Sequence, residues 1–300
     1  MLTRILFTGG SGFIGKNFLE QRNDKYIILS PTHSELDLAE TDACDVYFKK
    51  KGPFDVVIHA ATVGGKRSEK KMKDVTELNL RIFFNIARNA KYFNKLIHFG
   101  TASEYDKSYN IKDIKEADFD ERIPHDSFGF YKYVTAKYLE KSKLNVYHLR
   151  LFAVYGKHED YRLRLTSNLI CKYILKLPLT MIQNAYFDYL YVDDLIKILD
   201  YFIKKNPKYR FYNVGCGEKV ALLSIAKKIN RLSSYSLPIK IQKKGLNKEY
   251  TCNNSRLVKE LKGFRFTSID EGLQQLYNWY RKNWKRIDAK AIIEDSYNKL

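Results

Sequence analysis

This chain has little that could staple it, anchor it or divide it. Its four cysteines, Cys44, Cys171, Cys216 and Cys252, lie far apart with no C-x-x-C spacing, which argues against a zinc site and against a disulfide framework. Reduced, buried thiols are the expectation. No apolar run is long enough to cross a bilayer, and the basic-then-apolar pattern of a signal peptide is missing because the first apolar run breaks at Gly9-Gly10. A soluble, cytoplasmic protein without membrane contact follows. Prolines number only six in 300 residues, and no Pro- or Gly-rich linker, repeat or low-complexity tract separates one part from another. Acidic residues are scarce beside basic ones, 34 against 53, for a net charge of +19. The lysines are spread along the chain (Lys49-Lys50-Lys51, Lys70-Lys71, Lys204-Lys205, Lys243-Lys244) and do not line one helix with interleaved aromatics. That pattern is a solvated surface, with no nucleic acid as partner, whose field favours a small anionic substrate such as a nucleotide diphosphate.

Hydrophobic residues make up 45% of the chain, enough for a proper core. The first 15 residues carry the strongest local signal. Ile5-Leu6-Phe7 is a short apolar run, Thr8 to Ser11 a small-residue turn, and Phe13-Ile14 the opening of a helical pattern. Strand, turn and helix are thus in order around Gly9, Gly12 and Gly15. The first glycine permits the turn, the second lets a pyrophosphate approach the backbone, and the third lets helix and strand pack closely. Free N–H groups at the helix start, from Phe13 and Ile14, would then face the phosphates.

Tyr26–Leu29 reads as a second strand, followed by S-P-T-H-S-E-L-D-L. In dinucleotide folds an acidic residue directly after this strand holds the ribose 2′-hydroxyl of NAD. Here Ser30, Thr32, His33 and Ser34 stand there instead, with Asp37 and Leu38 further on. Hydroxyls and an imidazole suit a 2′-phosphate, so NADP is expected, with NAD as the alternative. Val56–Ala61 is a continuous apolar run that reads as a strand buried on both faces, and His59, Ala60 and Ala61 at its small-residue end leave room for the cofactor.

Helical and strand patterns then alternate: a helix from about Val75 to Tyr92 carrying Asn79, a strand at Leu96–Phe99, and another at Val146–Phe152. Right-handed crossovers turn this series into one parallel sheet covered by helices. The expected fold is α/β, a Rossmann-type doubly wound parallel sheet over residues 1–165, with later segments returning to it. Residues 166–300 would form mainly a smaller α/β substrate-binding lobe. Its helices are expected at about Thr166–Leu175, Asp193–Lys205, Leu222–Leu232 and Ile269–Lys282, and its strands at Tyr189–Val192, Tyr212–Val214 and Pro238–Gln242. The Lys/Asp-rich tail after Trp284 reads as a surface helix.

The landmarks T-G-G-S-G-F-I-G, D-V-V-I-H-A-A, F-G-T-A-S-E-Y, L-R-L-F-A-V-Y-G, F-D-Y-L-Y-V-D-D-L, Y-N-V-G-C-G-E and S-R-L…D-E-G-L…W-Y occur in this order over nearly the whole chain. Together they resemble an extended short-chain dehydrogenase/reductase of the epimerase/dehydratase kind acting on nucleotide sugars. S-E-L-D-L and A-A-T-V-G-G look most like GDP-fucose synthase and related 4-keto reductases. The resemblance implies a Ser/Thr, a Tyr and a Lys: the Tyr moves a proton at the sugar oxygen, the Lys lowers the Tyr pKa and holds the nicotinamide ribose, and the Ser/Thr bonds the same oxygen. Thr101 falls in the Ser/Thr slot. Ser103 and Glu104 follow on the substrate side.

Two placements compete for the Tyr-Lys pair. Tyr133 and Lys137 form an intact Y-x-x-x-K, while Phe128 and Lys132 in F-G-F-Y-K match the family's Y-G-x-S-K with Phe in place of tyrosine. Only 17 residues separate Tyr133 from Arg150, against 22 from Phe128, too few for a long helix, a turn and a strand. Gly129 also supplies the small residue that usually follows the tyrosine. The Phe128/Lys132 register is therefore preferred. A phenyl ring cannot donate the proton, so an engineered Tyr→Phe change, a natural loss of activity and the neighbouring register all stay open.

The resemblance further implies a sugar pocket lined by Val63, Gly64, Gly65 and Lys66, with Asn168 near the sugar or diphosphate. Phe187 stands where an Arg commonly precedes Asp188, so Arg162, Arg164 or Arg256 would supply that charge. Reduction of a 4-keto nucleotide-linked sugar for surface polysaccharide is the leading expectation. A 4-epimerase with tightly held NAD and a catalytically silent NADP-binding protein are the alternatives. A homodimer through paired helices of the first lobe is implied as well.

Overall fold

The computed structural model describes residues 2–64 and 73–299. In the first half of the chain, β1 (Arg4–Thr8), α1 (Phe13–Arg22), β2 (Ile27–Leu29), α2 (Thr41–Lys51), β3 (Phe54–His59), α3 (Val75–Ala87) and β4 (Phe93–Thr101) alternate. A 3₁₀ turn at Ala102–Tyr105 leads to β5 (Ile111–Ile114), α4 (Ser127–Lys141), β6 (Val146–Leu151) and β7 (Ala153–Tyr155). The second half runs α5 (Leu165–Ile174), β8 (Leu179–Asn184), β9 (Tyr186–Tyr191), α6 (Val192–Lys204), β10 (Phe211–Val214), β11 (Lys219–Ala221) and α7 (Leu222–Ile229). It ends with β12 (Ile239–Leu246), β13 (Tyr250–Cys252), α8 (Ser255–Glu260), α9 (Ile269–Lys282), α10 (Ala289–Glu294) and α11 (Ser296–Lys299).

Six strands form one sheet in the order β10-β6-β4-β3-β1-β2, and every pairing within it is parallel. The apolar runs explain why. Successive side chains of a strand point to opposite faces, and here both faces are covered. Ile5, Phe7, Val56, Ile58, Ile97 and Phe99 pack with residues of α1 and α6, while Leu6, Val57 and Leu96 pack with Phe48, Phe83, Ile86 and Leu139 from the helices of the other side. Each fully buried side chain of this kind contributes about 1.5–3 kcal/mol. This is a doubly wound α/β fold.

Beyond the C-terminal ends of that sheet, β9 gathers β11, β13 and β7, and β13 pairs onward with β5. A second core collects α5, α7 and α9 around Leu169, Tyr173, Ile225, Leu273 and Leu276. The tail differs from the expected surface helix. Its apolar residues Ile287, Ile292 and Tyr297 are buried against this core, and the buried Lys172 pairs with Asp295 at 2.6 Å. The Lys/Asp-rich composition concealed a docking segment. Among the described residues no helix is long and apolar enough to cross a membrane.

Candidate active site

The glycine-rich turn is built for a close-lying ligand. Gly9 has φ +81°, and a Cβ there would sit 2.8 Å from the backbone nitrogen of Ala61; one at Gly15 would sit 2.5 Å from Gly10 Cα. The amide of Gly12 donates to Gly9 at 3.0 Å, and α1 begins directly after it with no side chain capping the helix. The first-turn amides, including those of Phe13 and Ile14, have no intrahelical acceptor. They point a positive dipole end out of a cradle only glycine allows, which fits the diphosphate of a dinucleotide.

At the end of β2, the backbone N–H and the hydroxyl of Thr32 both donate to Glu35, at 2.7 and 2.9 Å, which turns that carboxylate back on its own loop. Ser34 shares a hydrogen bond with Thr32. Asp37 accepts from the Ala39 amide at 2.9 Å and lies 3.8 Å from the exposed His33. Leu38 packs on the core, and Ser30 lies so near Gly10 that a Cβ there would meet its hydroxyl at 1.9 Å.

Beneath the site runs a cross-strand row that the sequence did not reveal. Thr8, His59, His98 and His148 are successive partners across β1, β3, β4 and β6. Thr8 Oγ1 bonds His59 Nδ1 at 2.8 Å, the His98 and His148 Nδ1 atoms are 2.9 Å apart, and His148 Nε2 lies 3.0 Å from Glu104. Burial, then the Lys132 charge, pushes His59 down to about 3. Burial likewise holds His98 well below its ordinary range and lowers His148, although Glu104 opposes the latter. The row is neutral at physiological pH.

Glu104, expected on the substrate side, instead closes this floor. It is fully buried, with Arg150 Nε at 2.7 Å and the Thr101 amide donating at 2.9 Å. Burial raises its pKa, but His148 and Arg150 overcome that and bring it down to about 2. A compensated buried carboxylate of this kind braces the turn that presents Thr101 and Ser103. Thr101 Oγ1 accepts from the Ser103 amide at 3.3 Å; Thr101 is half-buried and Ser103 buried.

Helix α4 separates the two Tyr-Lys placements. Its N-terminus is capped by Asp126, whose side chain accepts from the Gly129 amide at 3.0 Å. A Cβ at Gly129 would meet the Ser103 carbonyl oxygen at 2.9 Å, so this glycine lets the helix touch the Thr101 turn. Lys132, one turn along, is buried, and its Nζ donates to the Phe99 carbonyl at 2.5 Å. Burial lowers its pKa to about 8, opposed by Glu104. Tyr133 and Lys137 point elsewhere: the Tyr133 hydroxyl donates to Asp120, and Lys137 pairs with the same exposed carboxylate at 2.8 Å. Phe128 lies half-buried over Tyr131, ring centroids 5.2 Å apart. Tyr131 is buried, and its hydroxyl bonds Thr62.

Asn79 is spent on structure. Its Oδ1 accepts from Val63 N and Thr62 Oγ1, both at 3.0 Å, and its Nδ2 donates to the carbonyls of Val63 and Val75. It thereby fixes the loop after β3, where Ala60 and Ala61 border Gly9 and Gly64 turns at φ +75°. Gly65 and Lys66 lie outside the described residues. Asn168 on α5 is buried with both amide atoms unpartnered, which is what a ligand-facing amide leaves behind. Of the three arginines, Arg162 is held by Asp160 and Arg256 by the Phe211 carbonyl and Glu116. Arg164 acts electrostatically on Tyr250.

Tyr250 was missed from sequence. It sits on β13 against the rings of Phe152 and Phe187, at 5.4 and 5.3 Å, in one cluster with Ala102 and Tyr105 of the Thr101 turn. No local pattern marks it, because its strand is three residues long and belongs to the other lobe.

The chain is similar at 24% identity, over 93% of each chain, to GDP-L-colitose synthase of Yersinia pseudotuberculosis. It is 24% identical to GDP-L-fucose synthase of Dictyostelium discoideum over 94% of this chain and 96% of that one. Its fold matches the GDP-mannoheptose C4 reductase of Campylobacter jejuni, solved with NADP bound, at a TM-score of 0.80 and 19% identity, covering 93% of this chain and 98% of that chain. The UDP-glucose 4-epimerase of Thermotoga maritima fits at a TM-score of 0.80 and 20% identity, over 93% and 99%. The family model for the NAD dependent epimerase/dehydratase family matches residues 5–215, and the chain belongs to that family.

Proposed function

We infer that this protein reduces a 4-keto sugar linked to a nucleoside diphosphate, using NADPH. The observation that carries the choice of a net reduction is the end of β2. Its nearest carboxylate, Glu35, is tied to Thr32, which leaves hydroxyls and the exposed His33 where a ribose 2′-phosphate would lie. A reductase draws on a reduced nicotinamide, whereas a 4-epimerase recycles a tightly held NAD. In this reading Gly9, Gly12 and the first turn of α1 hold the diphosphate, and Lys132 holds the nicotinamide ribose from α4. When bound, the cofactor supplies the hydride. Thr101 bonds the sugar oxygen, Ser103 and Asn168 orient the sugar, and Arg164 takes the charge of the diphosphate in place of the arginine missing at Phe187.

The names of the similar synthases and reductases support GDP as the nucleotide. The reading includes a cytoplasmic homodimer, supported by Phe84 on α3 and Tyr138 on α4, two exposed rings in contact at 5.0 Å. The test is titration of the protein with NADPH and NADH by nicotinamide fluorescence, followed by turnover with GDP-linked 4-keto hexoses. NADPH should bind about tenfold tighter or better, a difference of about 1.4 kcal/mol, and be consumed mole for mole. Tighter binding of NADH, or conversion without net loss of cofactor, would overturn the reading in favour of an epimerase.

A further inference from the structure

The site holds a complete cofactor side and a gap. Thr101 and Lys132 are in place, but α4 offers a phenyl ring at Phe128. Reduction of a ketone needs a proton at the oxygen as the hydride arrives at carbon, so some other group must carry it. The tyrosines around the site can be sorted by what their hydroxyls do. Tyr105 donates to Asn213 at 2.7 Å in the buried floor, the buried Tyr131 is engaged with Thr62 in the loop after β3, and Tyr133 donates to Asp120 on the outer face. The Tyr250 ring packs on the turn that carries Thr101 and Ser103, in one cluster with Ala102 and Tyr105.

We propose that Tyr250, reaching across from the second lobe, carries the acidic hydroxyl that α4 lacks and delivers its proton to the sugar oxygen beside Thr101. This rests on the reductase reading. The carbonyl carbon gains the hydride from the reduced nicotinamide, its oxygen gains the Tyr250 proton, the nicotinamide is oxidised, and the phenolate left on Tyr250 is reprotonated from solvent after the product leaves.

Three features of the molecule support the assignment. Tyr250 is fixed in place: its backbone pairs with Phe187 on β9 and Ile111 on β5, and its ring packs on the cluster of Ala102, Tyr105 and Phe152 that forms the Thr101 turn. The two departures from the family pattern then have one explanation. Phe128 vacates the helix position, and Phe187, standing where an arginine is usual, supplies a ring that packs tilted against Tyr250 at 5.3 Å. The electrostatics keep the proton on the group: burial raises the Tyr250 pKa, with Thr101, Ser103 and Arg164 opposing it, so it stands as a phenol at neutral pH.

The experiment compares Tyr250→Phe, Phe128→Tyr, the double variant and Tyr131→Phe. NADPH consumption is followed with a GDP-linked 4-keto hexose, and calorimetry measures binding of NADPH and of GDP alone. Tyr250→Phe should lower kcat about 100-fold or more while both dissociation constants stay within about twofold. Adding Phe128→Tyr to it should recover about tenfold or more of the loss, and Tyr131→Phe should keep kcat within about threefold. The proposal is overturned if Tyr250→Phe keeps its kcat, if it weakens GDP binding as much as it slows turnover, or if Tyr131→Phe is the variant that abolishes turnover. An inactive natural protein that Phe128→Tyr awakens would also overturn it, with the reductase reading intact. If neither form consumes NADPH although both bind it, the reductase reading fails and the proposal with it.

Discussion

Acid should unfold this protein through its buried histidines before its carboxylates. His59, His98 and His148 stand in one row across the central strands, all buried, and burial lowers the pKa of each. In the unfolded chain they titrate near the ordinary histidine value of about 6.5. Below that pH the unfolded state binds protons that the folded state refuses, so stability falls as pH falls and is flat above it. Each group contributes a slope of about 1.4 kcal/mol per pH unit; the buried Glu159, raised to about 7, opposes one of the three between about pH 7 and 4.5, which leaves a limiting slope of about 3 kcal/mol per unit. A stability on the order of 10 kcal/mol would be exhausted within about four units. Glu104 adds to this at lower pH with the same sign, because its folded pKa of about 2 lies below the ordinary carboxylate value. Urea unfolding at fixed steps between about pH 7.5 and 5, followed by the fluorescence of Trp279 and Trp284, measures the slope. An unfolding free energy that stays constant from about pH 6.5 to 5 would refute the neutral row, since it would mean that the folded state takes up the same protons.

Two further substitutions test the site from opposite sides. Gly15→Ala forces a Cβ to 2.5 Å from Gly10 Cα and Gly9 O, both backbone, so the turn must shift; NADPH affinity measured by fluorescence should fall by about tenfold or more, with circular dichroism reporting the fold. Tyr133→Phe combined with Lys137→Met removes the intact Y-x-x-x-K but only a surface cluster on Asp120. Turnover should then stay within about twofold of the unaltered protein, and its loss would return the catalytic role to that pair.

The sheet was legible because its strands announce themselves. Val56–Ile58 is apolar without alternation and Leu96–Phe99 is so apart from His98, the pattern of strands covered on both faces, and the glycines of the first turn stand where Cβ atoms have no room. What escaped notice depends on contacts between distant segments. His59, His98 and His148 sit inside apolar runs and become a row only when the strands come into register. Glu104 follows Ser103 directly, so adjacency suggested the cleft, while Arg150 and His148 on β6 draw it inward. The three-residue β13 gives no periodicity to read, yet it places Tyr250 at the site.

Departures from the family pattern are not scattered. Phe128 lies on α4 against Tyr131 and Phe187 on β9 against Tyr250, while the first turn keeps its glycines and uncapped helix start and α4 its buried lysine. Lys132 makes the point most sharply. Burying an amine is costly and pulls its pKa down to about 8, and a protein that needed only a core there would be more stable with an apolar side chain. A buried amine beside Phe128 is what the proposed hold on the nicotinamide ribose requires, and Lys132→Met should therefore weaken NADPH binding measured by fluorescence while leaving the fold intact by circular dichroism.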